Sequence, residues 1–362
     1  MSPPGRLRSG WIVIVAYQGV DHLPAALSSC ALHAPDIPVV VVDNASSDGG
    51  PELIRSTFPT VQLLVQGRNL GFGGGCNQGI RHARAQGAEW VLLLNQDAEL
   101  QAGAVDTLRA GLESNAQVAA VQPGVMRDDG RVNSLGNPVH WLGFSEAGGN
   151  GLSLDQAERD PNLPWLRDGR WRSEMVEVPA CSGAALMLRM TALDDVGLFE
   201  DELFLYHEDL ELSLRLRRAG WLCCLVGAAR VRHHYAFSRN RRKWYFLERN
   251  RHWVLLAHLR GSTLAVLAPG LLAAETMVWW MAVRGGWARE KMHTYGYWFQ
   301  GGRVRHLRQR RMALTALRRV DDHVLLSMAS TRLSAADAGG SSRLADGVSS
   351  ALWRLLQPLI RQ

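Results

Sequence analysis

Pro38-Val39-Val40-Val41-Val42-Asp43 is an apolar, β-branched run that closes on a carboxylate, and its reading decides the fold class. Residues 11–17 (WIVIVAY), 61–65 and 90–94 are runs of the same kind. Such continuous runs fit strands covered on both faces, as in a parallel sheet. Between them lie helix-length segments at 23–34, 51–58 and 77–86. The rhythm is βαβαβαβ, which predicts an α/β fold with right-handed crossovers. Residues 128–175 are rich in Gly, Asn, Asp and Pro and read as loops. Order returns with a strand-like run at 182–189 and a helix at 208–219 stopped by Gly220.

The chain's 362 residues suggest about two domains. With 20% charged and 47% hydrophobic residues, it is neither wholly disordered nor a polytopic membrane protein. Its five cysteines are scattered without a Cys-x-x-Cys pair, which argues against a disulfide framework and a thiolate zinc site and for a reducing compartment. The first nine residues do not read as a signal peptide. Net charge is +6, compatible with nucleic acid, an anionic membrane or a phosphorylated substrate. The placement of that charge favours the membrane. Residues 264–283 are as long as a membrane span but contain Pro269, Gly270 and Glu275, and a carboxylate at mid-bilayer is costly. Seven arginines follow in 303–320, without the interleaved aromatics that stack on bases. Residues 327–350 read as a flexible Ala/Ser/Gly linker, and 351–362 as a short amphipathic tail.

Ligands of open α/β sheets bind beyond the carboxyl ends of the strands. Those ends carry Ala16-Tyr17-Gln18, then Asp43-Asn44 with Asp48, then Asn69 and Gly71–Gly75 as far as Asn77, then Asn95-Gln96-Asp97. Every one is polar. The glycine run lacks the Lys of a P-loop, and Cys76 stands where a dinucleotide fingerprint needs its last glycine. Glycines alone leave two readings open: a phosphate cradle, or a tight turn with close helix packing. Asp97, at the tip of an aliphatic strand, suits an oxygen-binding divalent metal. Glu208-Asp209-Leu210-Glu211 opens a helix, where acids also simply complement the dipole.

The order and spacing of these motifs resemble the family-2 glycosyltransferases. The resemblance continues through Gly183-Ala184, Gly197-x-Phe199, Phe204-x-Tyr206-x-Glu208-Asp209-x-Glu211-Leu212-x-x-Arg215 and Gly220-Trp221. It covers roughly residues 11–258 and, within the family, looks most like the bacterial rhamnosyltransferase-type enzymes of cell-surface polysaccharide assembly. It implies a GT-A domain at 11–258, a Rossmann-like, mostly parallel sheet flanked by helices. A helical, membrane-associating extension would follow at 259–326, after an N-terminal tail at 1–10. It implies that Ala16, Tyr17, Asp43, Asn69, Gly73, Asn77 and Gln96 bind the nucleotide-sugar. Asp97 and His233 (in preference to His234) would hold Mg²⁺ or Mn²⁺. Asp209 would be the base of an inverting transfer, ionised with help from the helix dipole, and Glu208 its catalytic companion.

The implied reaction moves a single sugar, first rhamnose from dTDP-rhamnose, to a saccharide or lipid-linked saccharide. The implied location is the cytoplasmic face of the membrane, peripheral to it. Two departures matter: Asn95 replaces the first acid of the family's D-x-D element, and the Q-x-x-R-W signature of processive synthases is absent. Two alternatives are an NAD-type oxidoreductase, opposed by the misplaced glycine run, and a catalytically dead module binding nucleotide-sugar or an anionic surface. A nucleic-acid partner is not expected.

Overall fold

Among the described residues, ten strands pair into one mixed sheet whose order, once the strands are labelled, departs from simple succession. The computed structural model describes residues 7–234, 242–332 and 343–360. The strands are β1 (Gly10–Ala16), β2 (Val39–Asp43), β3 (Gln62–Val65), β4 (Trp90–Asn95), β5 (Ala98–Leu100), β6 (Val118–Met126), β7 (Val132–Ser134), β8 (Val176–Glu177), β9 (Ala185–Arg189) and β10 (Leu222–His233). Their order is β3-β2-β1-β4-β9-β6-β10-β5, with β7 on β6 and β8 on β10. β1, β2, β3 and β4 pair in parallel, and so do β6 and β10. β9 is antiparallel to both β4 and β6. The expected α/β architecture is present, and the sheet is mixed.

Burial explains the valine runs. Ile12, Ile14, Val40, Val41, Val42, Leu92, Leu93 and Leu94 are each at most 1% exposed. Full burial of each such side chain is worth about 1.5–3 kcal/mol. One face of β1 packs Ile12, Ile14 and Ala16 into a core with Leu23, Leu27 and Cys30 of α1 (Leu23–His33) and Leu108 and Leu112 of α4 (Ala104–Ser114). Its other face, Val13 and Val15, is covered by α3 (Gly71–Ala85). α2 (Gly50–Thr57) starts behind a positive-φ Gly49 with Pro51 in its first turn, where proline's missing N–H costs nothing. The predicted loop region at 128–175 holds only short pieces, β7 and α5 (Leu154–Arg159) among them, yet Trp171 there is fully buried. α6 (Met190–Val196) and α7 (Glu208–Arg218) follow β9.

The chain divides into two compact units: residues up to 137 with 147–216 and 221–236, and residues 138–146, 217–220 and 237 onward. The boundary expected at 258 therefore falls earlier, and the second unit borrows two segments from within the first. The second unit contains α8 (Arg242–His258), α9 (Gly261–Arg284), α10 (Ala288–Gly296), α11 (Arg303–Ala316), α12 (Asp322–Leu325) and α13 (Arg343–Leu356). α13 takes up 343–350 of the expected linker, while 333–342 lies outside the described residues. The expected tail is equally structured. Trp353 stacks on Trp141 at 5.6 Å, and Ser349 Oγ takes the Trp141 indole N–H at 3.0 Å.

Glu275 on α9 sits in a buried ion network. Arg251 bonds both oxygens of Glu248 at 2.9 and 2.8 Å and reaches Glu275 at 3.0 Å. Lys291, fully buried, bonds Glu248 at 2.6 Å and Glu275 at 2.5 Å. Glu248, His252 and Glu275 are close enough to resemble a metal site, but Arg251 and Lys291 already neutralise both carboxylates.

Candidate active site

The loops after β1 and β2 are knitted together. Asn44 N–H donates to Ala16 O at 2.8 Å, Gln18 N–H to Ser46 Oγ at 3.1 Å, and Val20 N–H to Asp48 at 2.8 Å. Asp43 is buried and accepts the Ser46 N–H at 3.1 Å. Gln96 brackets Tyr17, accepting its N–H at 2.9 Å and donating to its carbonyl at 3.2 Å. The Tyr17 ring is left half exposed. Ala16, Tyr17, Asp43 and Gln96 therefore converge at the carboxyl ends of β1, β2 and β4. Gln96 is already engaged with backbone there.

The glycine run resolves differently from a loop ahead of a helix at Asn77. It forms the first turns of α3, which starts at Gly71. Gly71 has φ +77°, and a Cβ there would lie 2.1 Å from Phe204 O. A Cβ on Gly79 would lie 2.2 Å from Val13 Cγ1. These glycines let α3 press onto β1 and onto the 199–208 segment. Asn77 is 1% exposed, and its amide bonds Phe199 N and O, each at 2.9 Å, and Asp201 at 2.7 Å. Gly73 faces Phe199 and Glu208. The structure thus gives Gly73 and Asn77 bracing contacts within the protein. Asn69 stands at the helix start, accepting Gly71 N–H at 2.8 Å.

Asp97 and His233 are brought together by the antiparallel pairing of β5 with β10. Asp97 Oδ1 lies 3.1 Å from His233 Nε2. Asn133 Oδ1, on β7, faces His233 Nδ1 at 3.0 Å, which orients the ring with Nε2 toward Asp97. Asn95 contributes an amide 3.4 Å from the same Nε2. Burial acts to raise the Asp97 pKa but is outweighed by the hydrogen bond and charge of His233, so the carboxyl is held below its ordinary range. His234 points elsewhere, to Glu99 and to Asp128. A carboxylate oxygen and an oriented imidazole nitrogen converging on one point form a mixed donor set that suits a transition-metal dication such as Mn²⁺ better than the oxygen-seeking Mg²⁺. Asn133 carried no signal in the sequence, lying in a stretch that read as loop.

Asp209 lies in the first turn of α7, partly buried. Its Oδ2 accepts Gly183 N–H at 2.9 Å and its Oδ1 accepts Leu210 N–H at 2.8 Å. Glu208 is 5% exposed, and its buried Oε2 has no hydrogen-bond partner among the described residues. Burial, reinforced by the charge of Asp209, pushes Glu208 up to about 8, and burial also raises Asp209. Burial thus works against the ionised Asp209 that the helix dipole is expected to favour. Asp209 accepts two neighbouring N–H groups that favour its charged form, whereas Glu208 is the acid that burial pushes into the neutral range. Immediately before the pair, Phe204, Tyr206 and His207 all take positive φ, a conformation costly for residues with a Cβ. The chain is bent to deliver Asp209 to its position.

A carboxylate base, a metal-competent pair and a polar crescent at the strand ends can together bind an anionic ligand and remove a proton from a hydroxyl. The model for "Glycosyl transferase family 2" matches residues 11–197. The chain is 31% identical over 242 residues to the N-acetylglucosaminyl-diphospho-decaprenol L-rhamnosyltransferase of Mycobacterium tuberculosis, over 64% of this chain and 77% of that protein. It is 26% identical over 227 residues to the galactofuranosyltransferase GlfT1 of the same species, over 59% and 66% of the two chains. The crystal structure of GalNAc-T7 with UDP, GalNAc and Mn²⁺ aligns with a TM-score of 0.55 at 17% identity, over 74% of this chain. This chain spans about half of that one (51%), and the likeness shows the fold.

Proposed function

The chain belongs to glycosyl transferase family 2, and from that premise we propose that it transfers one rhamnosyl residue from dTDP-rhamnose to a lipid-linked saccharide, with inversion. It is a glycosyltransferase of cell-wall polysaccharide synthesis. The donor's nucleoside lies along Ala16, Tyr17, Asp43 and Gln96, with Asn69 beside it. Asp97 and His233 would hold the divalent cation, which when bound would neutralise charge on the donor diphosphate. Asp209 takes the proton from the acceptor hydroxyl as that oxygen attacks the anomeric carbon. Glu208, neutral, leaves Asp209 as the charged member of the pair. The observation that carries this reading is the Asp97–His233 contact at 3.1 Å, made within the unit that holds Asp209. The misplaced glycine fingerprint leaves the oxidoreductase alternative without support.

The second unit is our proposed membrane-binding element, on the cytoplasmic face. α9 is long and apolar enough to cross a membrane by length and composition, but Glu275 ties it to Arg251 and Lys291. It would therefore lie on the surface. Leu272, Trp280, Val283 and Phe299 are 59–89% exposed, apolar groups suited to the acyl boundary. Arg305 and Arg308, exposed on α11, would meet anionic headgroups.

The test is a thermal-shift panel of dTDP-, UDP- and GDP-sugars with Mn²⁺, Mg²⁺ or EDTA, followed by transfer to a prenyl-diphosphate GlcNAc acceptor. Binding of the folded state alone raises apparent stability as RT ln(1 + [L]/Kd). A metal-dependent shift with dTDP-rhamnose and a rhamnosylated product is the expected result. A shift with UDP- or GDP-sugar alone overturns the donor assignment, and binding unaltered by EDTA overturns the metal site.

A further inference from the structure

Three successive backbone N–H groups ahead of β9 are each held by a side chain. Cys181 N–H donates to Ser213 Oγ at 3.1 Å, from α7 one turn beyond Asp209. Ser182 N–H donates to Gln122 Oε1 at 2.7 Å, from β6. Gly183 N–H donates to Asp209 Oδ2 at 2.9 Å. The next carbonyl, Ala184 O, accepts Asn95 N–H at 2.9 Å, two residues before Asp97. Gln122 is fully buried, and its Nε2 bonds Pro123 O at 3.2 Å and Ser134 Oγ at 3.3 Å. Ser134 Oγ in turn donates to Asn137 Oδ1 at 2.8 Å. The orientation of the Gln122 amide is therefore dictated by its surroundings, with the oxygen toward Ser182.

We propose that Gln122 and Ser213 are positioning residues for Asp209: they hold the 181–183 backbone so that Gly183 N–H stays on Asp209 Oδ2. This rests on the reading of Asp209 as the base. The Gly183 bond does two things. It aims the carboxylate, and it stabilises the ionised form against its burial. Titratable groups near the carboxylate include Glu208 on its own helix, Tyr206 and the buried His207 before it, and Cys76 on α3 facing Glu208 in turn. The Gly183 and Leu210 N–H groups favour the anion. Removing the Gln122 oxygen strands the Ser182 N–H in a buried site, and the loop relaxes to find it another acceptor. Gly183 then drifts from Asp209, whose pKa rises.

The experiment is ¹³C NMR titration of aspartate carboxyls in the full-length chain, with the Asp209 signal assigned by its loss in Asp209→Asn. Gln122→Met keeps the length of the side chain without its amide and raises the Asp209 midpoint by about one unit. Gln122→Glu, neutral when buried, still presents a carbonyl oxygen to Ser182 and restores the midpoint. Ser213→Ala moves it in the same direction by less, and carries the test if Gln122→Met fails to fold. With dTDP-rhamnose, Mn²⁺ and acceptor, Gln122→Met lowers kcat at least tenfold at neutral pH while the KM for donor stays unchanged. An Asp209 midpoint unmoved in both Gln122→Met and Ser213→Ala overturns the proposal. A moved midpoint with turnover retained in Asp209→Asn keeps the positioning role and overturns the base assignment instead.

Discussion

Lys291→Met removes one charge from the buried network of the second unit while nearly conserving side-chain volume. Lys291 Nζ bonds Glu248 at 2.6 Å and Glu275 at 2.5 Å; without it, Arg251 faces both carboxylates, with His252 and Tyr295 hydrogen-bonding Glu275. Burial acts to raise Glu248, but Arg251 and then Lys291 outweigh it and hold the carboxyl at about 2 against an ordinary 4.5. That depression, supplied by Arg251 and then Lys291, corresponds to roughly 3 kcal/mol at neutral pH and bounds the share owed to Lys291 from above. It agrees with the roughly 3–5 kcal/mol lost when a buried ion pair loses one partner. At about 2–4 °C per kcal/mol, Tm at pH 7 should fall by roughly 6–20 °C. The sign with pH follows from depressed carboxylates. Their stabilisation is complete above the unfolded pKa and is lost as pH falls through the folded value. The gap between wild type and Lys291→Met should therefore be widest at pH 7 and close between about pH 4.5 and 2. Circular dichroism melts of both proteins across that range measure it. A gap that is absent at pH 7, or constant with pH, refutes the electrostatic account and assigns any loss to packing.

Asp97→Ala should abolish metal-dependent nucleotide binding, and His233→Ala should weaken it, with both variants melting near wild type; calorimetric titration with and without Mn²⁺ reads the difference. Asp209→Asn should lose about 10²–10⁴-fold in turnover while binding donor normally. Glu208→Gln, replacing a residue that is already neutral, should retain most of its turnover, and parallel kinetics and melts on the two variants test that ranking. Gly79→Ala should destabilise by about 1–3 kcal/mol, because the new Cβ lands 2.2 Å from Val13 Cγ1. A helix-propensity gain of up to about 1 kcal/mol offsets part of that. Urea unfolding that showed Gly79→Ala more stable than wild type would leave the glycines without their packing role.

The strands were legible because each is written in consecutive residues. Val40, Val41 and Val42, or Leu92, Leu93 and Leu94, state their own burial on both faces, and a strand so buried belongs in a covered sheet. The polar strand ends followed from the same register, and with them Tyr17, Asp43 and Asp97. A glycine run, by contrast, says only that something comes close. That the close neighbours are Val13 and Phe204 was decided by how α3 lies on β1. Asn133 and Gln122 were invisible for a related reason. One sits in a stretch that read as loop, and the other is a polar residue whose partner Ser182 lies 60 positions away. Likewise Glu275 read as an obstacle to membrane insertion, whereas its partners Arg251 and Lys291 reach it from α8 and α10. Local sequence determines which groups want to be buried or hydrated; which of them meet, and so which carboxylate keeps its proton, depends on contacts between distant segments that only the folded chain brings together.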